Sequence, residues 1–174
     1  MDKLVTIGLA KIEVAPLGTD GAMGSPLATI GHTAEGSCTI ETADPEITEF
    51  FSEEQDEPIH TAAKMAVTTI TFQLAAPDLA QCAKVFGGSV TGTGVSATWN
   101  YPSGLQTIEK SVKITPKEGI VFKIPRAKIT AKFTGQFGRS ETLKVEVVIT
   151  VLKPAGNAAP MILSLAANEG EEED

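Results

Sequence analysis

Eight carboxylates fall within seventeen residues of this chain: Glu41, Asp44, Glu46, Glu49, Glu53, Glu54, Asp56 and Glu57. They offer enough oxygen for a calcium ion, but their spacing does not follow an EF-hand loop and lacks its central glycine. The other candidates for chemistry are sparse. His32 and His60 stand alone, with no Ser or Cys partner suggested by spacing, and a lone histidine is more often a hydrogen-bonded structural residue than a general base. The chain has no HExxH, no P-loop and no GxSxG. GTGVSA at 92–97 imitates the front of a dinucleotide fingerprint, yet it follows a helical pattern and enters an alternating one, the reverse of the strand-to-helix context required. No catalytic residue, metal or cofactor is therefore expected, and the chain is not read as an enzyme.

Cys38 and Cys82 are far apart and form no CxxC pair, which fits buried thiols in a reducing interior rather than a disulfide framework. The first residues, MDKLVTIGLAK, are interrupted by polar positions and lack the apolar run of a signal peptide. No stretch is long and apolar enough to read as a membrane span, so neither a membrane nor export is expected.

The carboxylates surround an oddity. In TEFFSEEQDEPIH, residues 48–60, five acids and no lysine or arginine accompany Phe50 and Phe51. A solvated loop has no use for two large apolar rings, each able to bury about 150 Å² or more, whereas an interface does. DPEITEFF at 44–51 can be written as a short helix capped by Asp44 with Pro45 at its first position, or as an edge strand leading into a long loop; the strand is preferred.

The elements that must hold this segment are mostly strands. Leu143, Val145, Val147, Ile149 and Val151 alternate with more polar residues, the period of a half-buried strand. Ala127, Ile129, Ala131 and Phe133 form another run, and Ile120, Phe122 and Ile124 a third, with a bend expected at Pro125-Arg126. Ile108, Lys110, Val112 and Ile114 lead into TPKEG at 115–119, which reads as a turn. Further runs cover Val95–Tyr101, Ile70–Leu74 and Val5–Leu9, the last changing parity at Ile12 and Val14 as if bulged near Ala10. One helix is expected at about residues 77–86, capped by Asp78, stopped by Gly87-Gly88 and burying Leu79, Cys82, Ala83 and Phe86. The fold class is thus mainly β, sandwich or barrel-like antiparallel sheets with one short flanking helix.

With 174 residues, one core suffices. Residues 1–153 are expected to form a single β domain carrying the acidic segment at 41–57. Residues 154–174 are read as a tail whose acidic end, EGEEED, cannot pack. Charge is unevenly placed along the chain: four bases against thirteen acids in residues 1–104, ten against four in 105–153, and five acids alone beyond, for a net −8. Such asymmetry speaks about partners rather than fold.

Four stretches carry a family resemblance: IGLAKIEV at 7–14, DPEITEFFSEEQDEP at 44–58, VFGGSV at 85–90 and SVKITPKEGIVFKIP at 111–125. Together they resemble the major tail subunits, or tail tube proteins, of long-tailed phages and prophages, over most of residues 4–153. The shared motifs are patterns rather than catalytic signatures. The resemblance implies a β domain with a flanking helix that forms hexameric rings, stacked into a hollow tube through extended loops and termini. The tube conducts DNA without specific binding and joins other tail proteins. It implies a place in the host cytoplasm during assembly and then in the virion tail.

On that basis the candidate subunit interface is Phe50 and Phe51, with Glu53, Glu54, Asp56 and Glu57 pairing to Lys123, Arg126, Lys128 and Lys132 of a neighbour; a second possibility is that the acids line the bore and repel DNA. A different class remains open: a non-catalytic binding module, such as an immunoglobulin-like adhesin or carbohydrate-binding domain. Against it stand the missing Cys-Trp-Cys spacing and the scarcity of aromatics, Trp99 and Tyr101 being the only indole and phenol.

Overall fold

Alternating apolar residues must bury one strand face, and here they do so by curling a sheet on itself. The computed structural model describes residues 5–137 and 142–166. The strands are β1 (Ile7–Ala15), β2 (Ala28–Thr29), β3 (Thr39–Thr42), β4 (Glu46–Ser52), β5 (Gln55–Lys64), β6 (Thr68–Ala75), β7 (Ser89–Thr91), β8 (Thr98–Asn100), β9 (Ile108–Glu118), β10 (Ile120–Thr134), β11 (Lys144–Val151) and β12 (Ile162–Leu165). A single α-helix among the described residues, α1 (Leu79–Phe86), lies between β6 and β7.

The main antiparallel sheet runs β2-β1-β9-β10-β11-β6-β3, with β12 beside the first part of β10. Its ends are joined by the chain leaving β2. Ile30 N–H donates to Ile12 O at 3.0 Å; further on, Ala75 N–H donates to His32 O at 2.8 Å and Ala34 N–H to Gln73 O at 2.7 Å. Residues 28–34 are thus bonded to β1 on one side and β6 on the other, closing the sheet into a barrel and removing two edges. Inside lie Ile12, Val14, Ile70, Phe72, Leu74, Val112, Ile124, Ile129, Val145, Val147 and Ile149, all buried. Ile30, from the closing segment, completes them.

Two bulges set which side chains point inward. The pairing of β1 with β9 shifts between Leu9 and Lys11, as the change of parity in the sequence requires, and this turns Ile12 and Val14 into the core. A second shift in β10, between Ile124 and Ala127, absorbs Pro125, which cannot donate a ladder hydrogen bond. Pro125-Arg126 is therefore a bulge inside one continuous strand rather than a break between two. Likewise β9 extends to Glu118, and the expected turn at 115–119 shrinks to Gly119. Gly119 has φ +107°, and a Cβ there would lie 2.5 Å from Thr6 Cα, so only glycine fits.

One end of the barrel is plugged by α1. The Asp78 carboxylate accepts from Gln81 N–H at 2.7 Å, while Gln81 Oε1 accepts from Asp78 N–H at 3.2 Å, a reciprocal capping box. The buried face is Cys82, Val85 and Phe86. Leu79, expected on it, is exposed, and Val85 takes its place. Phe86 stacks on Phe133 at 4.7 Å between ring centroids, with Trp99 and Tyr101 completing an aromatic cluster. The Trp99 indole N–H donates to Gly87 O at 3.0 Å, tying the short β7-β8 hairpin to the helix end. The expected run Val95–Tyr101 is strand only from Thr98 to Asn100, because Gly94–Ser96 form a single 3-10 turn. Asp78→Ala is expected to cost about 1 kcal/mol of stability, measured by urea unfolding, since the cap satisfies an otherwise orphaned donor.

Outside the barrel, loop 16–26 covers Ser111, whose hydroxyl accepts from Gly24 N–H and donates to Pro125 O. The sheet also takes in residues beyond 153, because β12 pairs with β10 from Ile120↔Leu165 to Lys123↔Ile162. The acidic end of the tail lies outside the described residues.

Candidate functional site: an exposed hairpin arm

The acidic segment is a β-hairpin. Strands β4 and β5 pair only with each other, from Glu46↔Lys64 to Phe50↔His60, around a tight turn at Glu53-Glu54. Beyond Phe50 the register slips, so that Ser52 meets Gln55 and residues 56–59 bulge opposite Phe51. Pro58 sits in that bulge, where its missing N–H costs no ladder bond. The preference for strand over helix at 44–51 holds, whereas the long loop expected after it is the ten-residue strand β5.

The arm leaves the barrel from the ends of β3 and β6, where the Thr42 and Thr68 hydroxyls lie 2.9 Å apart. Every residue of β4 and β5 except Ser52 is exposed. That includes Ile47 at 60%, Phe50 at 49%, Phe51 at 57% and Ile59 at 59%. On one face Phe50 meets His60 at 5.9 Å between ring centroids, and Glu46 pairs with Lys64 at 3.7 Å. Strand alternation sends Ile47, opposite Ala63, and Phe51 to the other face. A lone two-stranded hairpin is marginally stable in water, and this one exposes four large apolar side chains with nothing of its own chain to cover them. The helical alternative would set Ile47 on one face with Phe50 and Phe51, which the strand separates; Ile59, on the facing strand, was not singled out in the sequence.

The expected partners of the acids all lie along β10. Lys123, Arg126, Lys128 and Lys132 point outward from the barrel wall, and among the described residues no ion pair joins them to the arm of the same chain. Two are already engaged. Arg126 places Nε and Nη2 each 2.8 Å from Glu109 Oε2, and that carboxylate holds the guanidinium above its ordinary pKa. Lys132 meets Glu146 at 2.7 Å across the β10-β11 pair. Lys123 is different: its cross-strand neighbour is Lys113, and on the other side of Lys113, on β1, stands Glu13. Lys113 was missed because nothing in the sequence pairs two residues ten positions apart.

The barrel end opposite α1 is open. A cavity of about 950 Å³ there is lined by Leu9, Cys38, Ile40, Ile70, Ile114 and Phe122, with His32, Glu35, Lys11 and Lys117 also contributing. Cys38 is half-buried and Cys82 buried; both are free, and desolvation pushes both thiols up, with Asp78 adding to the effect at Cys82. Among the described residues no group of three His, Cys, Asp or Glu side chains is placed to hold a metal, and no helix is long and apolar enough to cross a membrane.

No family model matches the chain, and no curated protein matches it.

Proposed function

We propose that the protein is a structural subunit that assembles with copies of itself into stacked rings around a bore for DNA, the role its resemblance to tail tube proteins implies. One observation carries the reading: a self-paired arm with exposed Ile47, Phe50, Phe51 and Ile59 and a strongly acidic tip, on a barrel whose outer wall is basic. An arm and an acceptor wall on different parts of one molecule make a heterologous contact, which closes into a ring when its rotation allows. Aromatic anchors supply the dry centre of such a contact, and the charges set register and partner. Other tail proteins would meet the same surfaces at the ends of the tube. The binding-module alternative draws less support, because Trp99 is spent inside the fold, its ring packed on Phe86 and its N–H bonded to Gly87 O.

Light scattering across a concentration series tests the proposal. Mass should rise to multiples of the 18.2 kDa chain, and it should fall as salt is raised from about 0.1 M to 1 M, where the screening length drops from about 10 Å to about 3 Å. A constant monomer mass at every concentration would favour the binding module instead.

A further inference from the structure

We propose that the arm is a rigid blade hinged to the barrel at residues 43–45 and 65–67, and that Pro45 makes the hinge. The blade swings toward and away from the open end of the barrel. The hinge stands whatever the arm binds, so it does not rest on the assembly reading.

The arm continues the barrel in register. Pairing runs from Thr39↔Thr71 to Thr42↔Thr68 in the barrel and resumes in the arm at Glu46↔Lys64, reaching Phe50↔His60. Three residues separate the two ladders on each strand, so none is inserted and the arm prolongs the β3-β6 hairpin in phase. Between them the pairing lapses. Ala43 N–H donates to Val67 O at 3.0 Å, the last bond on the barrel side. In an antiparallel pair the N–H groups that point across recur at every second residue, so the next falls at position 45. Proline has no N–H to give, and Met65 O is left without that donor.

Each side of this gap is fastened and the gap is not. On the barrel side the Thr42 and Thr68 hydroxyls lie 2.9 Å apart, and on the arm side Glu46 meets Lys64 at 3.7 Å. Asp44, Pro45 and Met65 are all exposed, so packing does not resist bending there. A ribbon of two strands bends across its faces more easily than in its own plane, which sets the direction of the swing. Because the register is kept, strand alternation carries through the hinge. Glu46, Thr48 and Phe50 continue the face that holds Ile40 and Ile70 at the open end, while Ile47, Phe51 and Ala63 continue the outer wall. A swing toward the open end brings the face of Phe50 and His60 over it; a swing away carries the face of Ile47 and Phe51 toward the wall.

Spin-label distances measured on the dilute, monomeric chain test the hinge. In a Cys38→Ser background, with Cys82 buried, labels at Ser52→Cys and Lys128→Cys span arm tip to barrel wall, and labels at Ser52→Cys and Glu46→Cys stay within the blade. The tip-to-wall distribution should be broad and the within-blade distribution narrow. Pro45→Thr, which restores the N–H, should narrow the first to the width of the second and leave the circular dichroism unchanged. A tip-to-wall distribution as narrow as that within the blade, a broad distribution within the blade, or a Pro45→Thr chain as broad as its parent would overturn the hinge. Because every reading is taken on the monomer, the hinge and the assembly reading fail separately.

Discussion

Truncating both phenylalanines of the arm, Phe50→Ala with Phe51→Ala, is expected to leave a folded monomer that associates at least about 30-fold more weakly than the native chain. Interface anchors commonly cost about 2 kcal/mol or more when truncated, and about 1.4 kcal/mol is a factor of ten in affinity. The fold should not notice. Both rings are about half exposed, and β4 pairs with no strand of the barrel. Thermal unfolding of the dilute protein should therefore stay within the range of an ordinary surface substitution. Sedimentation of the double variant beside the native chain measures the first effect and calorimetry the second. A variant that unfolds would mean that the rings support the barrel, and the acidic segment would then be an ordinary solvated arm.

Much of the barrel was legible because its strands have one wet and one dry face. In β11, Val145, Val147 and Ile149 had to alternate with Lys144, Glu146 and Thr150, and the burial follows that alternation residue by residue. The helix was legible from Asp78 and Gly87, since a cap and a left-handed stop are local chemistry. The arm was half legible for the opposite reason. β5, which reads QDEPIHTAAK, buries no face against its own chain, so nothing obliges its residues to alternate. Closure of the barrel by residues 28–34 and the return of β12 to β10 rest on pairings far apart in sequence, and short strands carry too few residues to show a period. The same holds for Lys113 beside Lys123: both lysines were in view, but their apposition depends on the register of β9 against β10. Arg126 and Lys132 were grouped with the neighbour's bases because the sequence does not show that Glu109 and Glu146 already hold them.

Reversing Glu53, Glu54, Asp56 and Glu57 together to lysine should abolish assembly, because it sets a basic tip against the bases of a neighbour's β10, Lys123 and Lys128 among them. The four acids sit in the turn and bulge of the arm, away from the barrel core, so the folded monomer should survive with unchanged circular dichroism. The reversal also separates two uses of the charge. Acids that line a bore would keep DNA phosphate mobile, and their reversal would spare the ring while giving it a sequence-independent, salt-sensitive affinity for DNA. Light scattering and a DNA retention assay at low salt read the two outcomes in one preparation. The apolar side chains of the arm favour the first outcome, since a bore wall has no need of them. A reversed chain that assembles normally and ignores DNA would leave the acids without either role.

Negative-stain microscopy of the concentrated native chain bears most directly on the central claim of self-assembly through the arm. The proposal predicts rings of uniform diameter with a stain-filled centre, some stacked into short tubes, and their disappearance in the Phe50→Ala, Phe51→Ala variant. Fields of single barrel-sized particles for the native chain, or rings that persist in the variant, would contradict it.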